Sequence, residues 1–270
     1  MLDVLTRATG HLQKHGSTSP RLDAEVLLAH TLALARIDLY VKFDQAMSEE
    51  ELARYRGLVA GRARGEPVAY LVGHKEFMAL DFLVTPAVLV PNPDTEVLVQ
   101  RAVAIARERG APLRVADVGT GSGCIAIALV HYAPAVEVWA GDISRDALEV
   151  ARRNVDKHGL GGRVHLLEGD LLAPFEGVFD LICANLPYVR GDADLPAEVR
   201  AQPAGALYAE QEGSALVNRL LAGAPDRLAE GGRVLVEIDP AILPALRIPL
   251  PNHVAHRDLA GHARVLESWF

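Results

Sequence analysis

The chain has 270 residues, half of them apolar, with 27 Lys and Arg against 35 Asp and Glu for a formal net charge of -8. That length and apolar share predict a soluble globular protein of one large or two smaller domains, and the acidic balance is the wrong sign for a protein held to nucleic acid mainly by phosphate contacts. Two cysteines, Cys124 and Cys183, rule out a disulfide framework, and MLDVLTRATGHLQKHG at the start lacks the apolar core of a signal peptide, so the expected compartment is the cytoplasm.

From Met1 to about Tyr70 the apolar spacing is helical. LDVLTRATGHLQKHG, PRLDAEVLLAHTLAL and SEEELARYRGLVAGRARG are separated by Gly16-Ser17 and by a turn around Phe43-Asp44. Ser48 followed by Glu51 is a capping-box signal, and the rest of SEEELARYR reads as a solvated helix face. AEVLLAHTLALARIDLYV is interrupted by His30, Arg36 and Asp38, which makes it a core helix and a poor membrane span. EFMALDFLVTPAVLV, Glu76 to Val90, alternates like a two-stranded connector. PNPDTE then restarts helix, with Asp94 or Thr95 as the expected N-cap.

From Arg114 onward, short apolar runs (RVADVG, VEVWAGD, RVHLLEGD, FDLICAN, GRVLVEI) alternate with the helical stretches CIAIALVHYA, SRDALEVARRNVDKHG and SALVNRLLAGAPDRLAEG. That alternation predicts an α/β fold with a doubly wound, Rossmann-like parallel sheet. The tail VAHRDLAGHARVLESWF adds an antiparallel hairpin at one edge, turning at Ala260-Gly261, with His253, His256 and His262 facing solvent. Cys124 and Cys183 are read as small packing residues.

DVGTGSG, Asp117 to Gly123, follows the first of these strands and precedes a helix. Gly119, Gly121 and Gly123 permit tight turns and close approach of a ligand to the main chain, with Thr120 and Ser122 between them. The dinucleotide fingerprint needs a sixth-position glycine, and Cys124 stands there. The second strand ends at Asp142, where a carboxylate can accept from two ribose hydroxyls. These features point to a nucleoside cofactor, S-adenosylmethionine or NAD. Asp117 either steadies the glycine loop or senses the cofactor's positive end; Asp170, followed by Leu171, ends the third strand within reach of an adenine amino group; Asn185 ends the fourth.

LDAEVLL, RGEPVAYLVGHKEF, PNPDTE, DVGTGSG, NLPY, VEI and RDLAGHARVL occur in an order that resembles the N5-glutamine methyltransferases that modify peptide chain release factors. The resemblance implies a small all-α domain over residues 1–75 that recognises substrate, a connector over 76–90, and a class I methyltransferase domain over 91–270. It implies S-adenosyl-L-methionine as the methyl donor and the glutamine of a Gly-Gly-Gln loop in class I release factors as the acceptor, in translation termination. It also sets the segment around Asp94, Thr95 and Glu96 beside the cofactor. The expected protein is a monomer with no membrane contact and no direct nucleic-acid binding.

A glutamine amide nitrogen is planar and a poor nucleophile, so it needs orientation more than a base. If the Asn185 side-chain oxygen and the Leu186 carbonyl each accept one N–H, the nitrogen's lone pair can face the methyl group for in-line displacement. Tyr188 is expected to pack on the amide plane, and Pro187 to keep Leu186 extended. No metal is demanded, and the histidines lack a ligand spacing such as HExxH.

The chain departs from the family pattern at Leu186, where Asn-Pro-Pro-Tyr is usual, and at Asn92, Gln202 and Asp239. Asn-Leu-Pro-Tyr also resembles the motif of ribosomal RNA adenine dimethyltransferases. N-methylation of an exocyclic amino group on a nucleic-acid base is therefore an alternative, as is a cofactor-binding interaction protein whose catalytic loop has drifted. An NAD-dependent oxidoreductase ranks below these, because position 124 is not glycine.

Overall fold

The computed structural model describes residues 1–42, 44–210 and 213–270. Phe43, part of the expected Phe43-Asp44 turn, lies outside the described residues. The chain divides into two compact units, residues 1–74 with 195–202 and residues 75–194 with 203–270. Among the described residues no helix is long and apolar enough to cross a membrane.

The first unit is helical: α1 (Leu2–Lys14), α2 (Pro20–Leu32), α3 (Asp38–Val41), α4 (Glu49–Ala63) and α5 (Val68–Val72). Proline opens α2, where its missing N–H costs nothing. The expected capping box opens α4: the Glu51 N–H donates to Ser48 Oγ at 3.1 Å, and Glu51 Oε2 accepts the Ser48 N–H at 2.7 Å. Leu5 and Leu12 of α1 meet Leu27 and Leu28 of α2 and Tyr55 and Val59 of α4 in one core, and the Tyr55 hydroxyl donates to the Ala24 carbonyl at 3.0 Å. Buried Arg62 is held by Asp23 at 2.6 Å and by Glu198. Glu198 lies on a short helix (Ala197–Arg200), so residues 195–202, which the sequence pattern alone sets within the methyltransferase stretch, cluster with these helices.

The second unit opens with a two-stranded sheet of β1 (His74–Phe77) and β2 (Leu80–Leu83). Only the first half of EFMALDFLVTPAVLV is therefore strand. Its turn places Met78 and Ala79 both at positive φ, a conformation that usually takes Asn-Gly. Tertiary bonds hold it there: the Met78 N–H donates to Glu96 at 3.0 Å, and the Tyr132 hydroxyl donates to the Met78 carbonyl at 2.7 Å.

Next come α6 (Glu96–Arg109), β3 (Leu113–Val118), α7 (Cys124–Tyr132), β4 (Val136–Asp142), α8 (Arg145–Lys157), β5 (Val164–Glu168), β6 (Phe179–Ala184), the one-turn α9 (Ala197–Arg200, the helix of the first unit just named) and α10 (Ala204–Leu207), α11 (Ala215–Gly223), β7 (Leu228–Glu237) and the hairpin β8 (Asn252–Arg257) and β9 (Ala263–Trp269). The sheet order is β5-β4-β3-β6-β7-β9-β8. Strands β3 to β7 pair in parallel, and β9 runs antiparallel to both β7 and β8, as the hairpin reading expects. Leu98, Ile105, Ile127 and Leu129 cover one face, and Phe175, Phe179, Leu220 and Leu221 belong to the core on the other. The helix expected over SALVNRLLAGAPDRLAEG stops at Gly223, because Pro225 offers no N–H to continue it, and Leu228–Glu230 already belong to β7.

The expectation that His256 faces solvent fails. Its Nε2 lies 2.6 Å from Glu267, a fully buried carboxylate on the neighbouring strand that also receives Arg101 at 2.7 and 3.1 Å and Arg233. Burial alone would raise the Glu267 pKa, but the bonds from Arg101, Arg233 and His256 outweigh it and hold it at about 2. A carboxylate depressed in this way adds stability above its unfolded value, near 4.5, and loses it as pH falls toward about 2. We expect the unfolding free energies of the wild type and Glu267→Gln, from urea titrations, to differ most at neutral pH, by about 3–5 kcal/mol because the variant leaves two arginines without their charge. The two should converge as pH drops through that window.

Candidate active site

The sheet's carboxyl edge is where the loops after β3, β4, β5 and β6 meet. After β3 the chain must reverse into α7, and Gly119, Gly121 and Gly123 all take positive φ. The Gly119 and Thr120 N–H groups donate to the Gly141 carbonyl at 2.8 and 2.9 Å, which ties the loop to the end of β4. The Thr120 hydroxyl donates to Asp117 Oδ2 at 2.7 Å. Asp117 is fully buried, and burial pushes its pKa up to about 7, with the Asp142 charge adding to the rise. Asp117 thus steadies the loop from beneath.

Asp142 closes the other side. Its Oδ2 accepts the Gly121 N–H and its Oδ1 the Ser144 N–H, each at 2.9 Å. Each oxygen keeps a second lone pair for a ligand hydroxyl. Ser144, and not Asp142, caps α8 through the Ala147 N–H. Beside Asp142, Ile143 is 71% exposed, an apolar surface with no core to cover it.

These groups line a cavity of about 460 Å³, within the range of small-molecule sites. Gly119, Thr120, Gly121, Ser122, Asp142, Asp170, Leu171, Asn185, Leu186 and Pro187 all face it; Asp117, Gly123 and Tyr188 do not. Gly123 lies under the loop at the start of α7. Asp170 is bound by Arg219 at 2.5 Å, a partner the sequence pattern did not reveal. Leu171 sits at φ 47, a left-handed turn that is rare for leucine. Cys124 reaches the lining while Cys183 is wholly buried, and both are free thiols.

The Asn-Leu-Pro-Tyr stretch leaves β6 and is anchored from several sides. The Asn185 Nδ2 donates to Thr95 Oγ1 at 3.1 Å, which leaves its Oδ1 as an acceptor. Leu186 is buried; a Cβ built on Gly119 would lie 3.0 Å from its Cδ2, so it seats the stretch on the glycine loop. The Tyr188 hydroxyl donates to Glu237 Oε1 at 3.2 Å, so its polar tip is committed to the end of β7 and not to the cavity. Burial and the Glu237 charge both raise the Tyr188 pKa.

Of the two expected caps, Thr95 stands at the N-cap position of α6, without a side-chain capping bond, and Asp94 does not. Asn92 caps a 3₁₀ turn over Pro93–Thr95 by accepting the Asp94 N–H, and Thr95 caps nothing with its side chain. Asp94 pairs with Arg264 at 3.2 Å.

Gly213 sits at φ 89, and a Cβ there would overlap the Tyr188 carbonyl oxygen. Gly213→Ala must displace either the strained backbone or the Tyr188 segment. We expect it to lower stability by about 1–3 kcal/mol and to reduce turnover more than cofactor affinity, measured by thermal melting, steady-state kinetics and calorimetry.

The donor set fits S-adenosylmethionine: a carboxylate with open lone pairs for a ribose, an exposed isoleucine for an adenine face, and a glycine loop that lets a chain approach closely. A Rossmann-like sheet with an antiparallel edge hairpin, carrying that loop after its first strand and that acid after its second, defines a class I S-adenosylmethionine-dependent methyltransferase. Residues 3–73 match the PrmC N-terminal domain family and residues 93–202 the methyltransferase small domain family. The chain is 40% identical over 281 residues to the release factor glutamine methyltransferase of Rhodopirellula baltica, covering 98% of this chain and 95% of that one. It is 44% identical over 241 residues to that of Moorella thermoacetica, covering 87% and 84%. This chain belongs to the release factor glutamine methyltransferase family.

Among solved structures, the hMettl16 catalytic domain in complex with an RNA hairpin shares a TM-score of 0.55 at 14% identity, over 83% of this chain and 82% of that one. A Thermus thermophilus 16S rRNA methyltransferase shares 0.52 at 18% identity, over 72% and 49%. Both likenesses are of fold.

Proposed function

We propose that this protein transfers the methyl group of S-adenosylmethionine to the side-chain nitrogen of the glutamine in the Gly-Gly-Gln loop of class I release factors, in the cytoplasm. The observation that carries the reading is the Asn185 amide, anchored by its nitrogen on Thr95 and left with its oxygen free to accept. The cofactor supplies an electrophilic methyl group on a sulfonium when bound. Asp142 holds the ribose, Ile143 and Asp170 border the adenine, and Gly119 to Gly123 with Asp117 beneath shape the cradle. Asn185 Oδ1 and the Leu186 carbonyl accept the two N–H groups of the substrate amide and turn its lone pair toward the methyl. Pro187 keeps Leu186 extended, and Tyr188 steadies the stretch through Glu237. The proton leaves to water after transfer, so no strong base is needed. The helical unit helps hold the release factor.

Incubating the protein with tritium-labelled S-adenosylmethionine and, separately, a release factor, ribosomal RNA, transfer RNA and DNA tests this. Label in the release factor alone is the expected result. Label in a nucleic acid alone would replace the reading with base methylation.

A further inference from the structure

An asparagine near the end of a helix is an ordinary surface residue, but Asn154 on α8 is fully buried. Its buried neighbours on the helix, Val150, Ala151 and Val155, are apolar. A leucine would fill much the same space with no polar group to satisfy, and burying an unpaired amide is costly. What asparagine supplies there is a pair of donors and an acceptor on one rigid plane.

All of these are used, on two distant segments. Asn154 Oδ1 accepts the Leu83 N–H at 2.8 Å, and Nδ2 donates to the Leu83 carbonyl at 3.0 Å and to the Ser122 carbonyl at 2.8 Å. The amide can sit only one way round: turned over, it would set its oxygen against two carbonyls and its N–H groups against the Leu83 N–H. Toward Leu83 it behaves as a residue of a neighbouring strand, exchanging both backbone bonds with the end of β2. Toward Ser122 it holds the main chain of the glycine loop, between Gly121 and Gly123, both at positive φ.

Both segments run directly into the cavity. Gly119 to Ser122 line it, and so do Ala87, Val88 and Leu89, which follow Leu83 after a turn in which the Val88 N–H donates to the Thr85 carbonyl at 3.1 Å. The bonds from Gly119 and Thr120 to the Gly141 carbonyl and from Gly121 to Asp142 fix the loop to β4 on its other side. Glycine lets a backbone take up such turns and equally lets it leave them, so a loop with three glycines in five residues needs bonds from outside to keep one shape.

We propose that Asn154 is a positioning residue that locks the glycine loop to the end of β2, so that the cofactor meets two parts of its cavity already set in one arrangement. The inference deepens the reading above and rests on its cofactor cradle, not on the identity of the methyl acceptor. Asn154 does not line the cavity itself; it acts through the Ser122 carbonyl and through the chain from Leu83 to Leu89. Without it, part of the cofactor's binding free energy goes into ordering the loop, and affinity falls while methyl transfer from the loaded enzyme changes little. The coupling is reciprocal: a cofactor that holds the loop also steadies the bonds at Leu83.

Other bonds join the end of α8 to β2 and provide the control. Lys157 pairs with Asp81 at 2.6 Å, and His158 Nε2 lies 3.1 Å from the Asp81 carbonyl; neither bond involves the glycine loop.

The test uses the full chain with S-adenosylmethionine as the probe. Asn154→Leu should bind it at least about tenfold more weakly by calorimetry, at a temperature where circular dichroism shows the variant folded, while its single-turnover rate with a release factor at saturating cofactor stays within about threefold of the wild type. Lys157→Ala should melt slightly earlier and bind the cofactor as the wild type does. In the wild type, amide hydrogen exchange should slow on cofactor addition at Gly121 and, through Asn154, at Leu83, by several-fold more than at Leu235 in β7, which reports global opening. Equal cofactor affinity in folded Asn154→Leu and the wild type would overturn the proposal, as would equal losses in Asn154→Leu and Lys157→Ala, which would make α8 a general support. Slowing at Gly121 with Leu83 merely following Leu235 would overturn it too, while leaving the cradle in place; should Asn154→Leu not fold, this comparison decides. Cofactor binding without slowing at Gly121 would sink the cradle reading, and the proposal with it.

Discussion

Asn185→Ala lowers the rate of methyl transfer by about 10²–10³-fold, the loss seen when one preorganised polar group is removed from a reacting centre, while the fold survives. Among the described residues the side chain's one hydrogen bond is to Thr95, so its removal leaves one buried hydroxyl short of a donor. The chemistry suffers far more. Without Oδ1 the substrate amide is held at one N–H by the Leu186 carbonyl and can rotate about that bond, and its lone pair spends little time in line with the methyl group. Substrate affinity should change less than turnover, because one neutral hydrogen bond is worth about 0.5–1.5 kcal/mol. Single-turnover rates beside release-factor binding curves separate the two.

Asp142→Ala weakens cofactor binding by at least about a hundredfold, since two hydrogen bonds from ribose hydroxyls to a charged acceptor contribute about 1.5–3 kcal/mol each. The substitution also frees the Gly121 and Ser144 N–H groups that Asp142 now holds at 2.9 Å. The glycine loop should loosen and the protein should melt earlier. Asp142→Asn keeps one acceptor oxygen and places an N–H where the other stood, so it should fall between the wild type and alanine in calorimetric affinity. Equal affinity in all three would move the ribose away from this carboxylate.

The sheet and its edge hairpin are legible in the chain because buried parallel strands read as short apolar runs bounded by turns, and the glycine loop because left-handed backbone demands glycine locally. Asp142 is legible for the same reason: it follows its loop at a fixed remove within one strand-helix-strand unit. The rest depends on contacts between distant segments. Tyr188 and Glu237 meet only when β7 packs beside β6, and no periodicity joins them. Arg219 reaches Asp170 from α11 across a whole turn of the fold. The sequence signal for Glu237 was an acid ending the apolar run GRVLVEI, where burial without a partner is costly. Asn92 is not legible as a cap because Pro93 begins a separate 3₁₀ turn ahead of α6. His256 looked solvent-facing because its partner, Glu267, sits on the next strand, and only the hairpin register brings them together.

Leu186 stands where the resembled family has proline, and the structure gives it a seat. Its side chain is buried against Gly119, so packing supplies part of the restraint that a locked proline ring would have given. The carbonyl needed as the second acceptor is present with either residue.

The measurement that bears most directly on the central claim is intact-mass analysis with peptide mapping of a purified release factor after incubation with this protein and S-adenosylmethionine, with Asn185→Ala in parallel. One methyl group on the side-chain nitrogen of the Gly-Gly-Gln glutamine, absent with the variant, is the result the account predicts. An unmodified glutamine, with S-adenosylmethionine bound to the wild type, would contradict it.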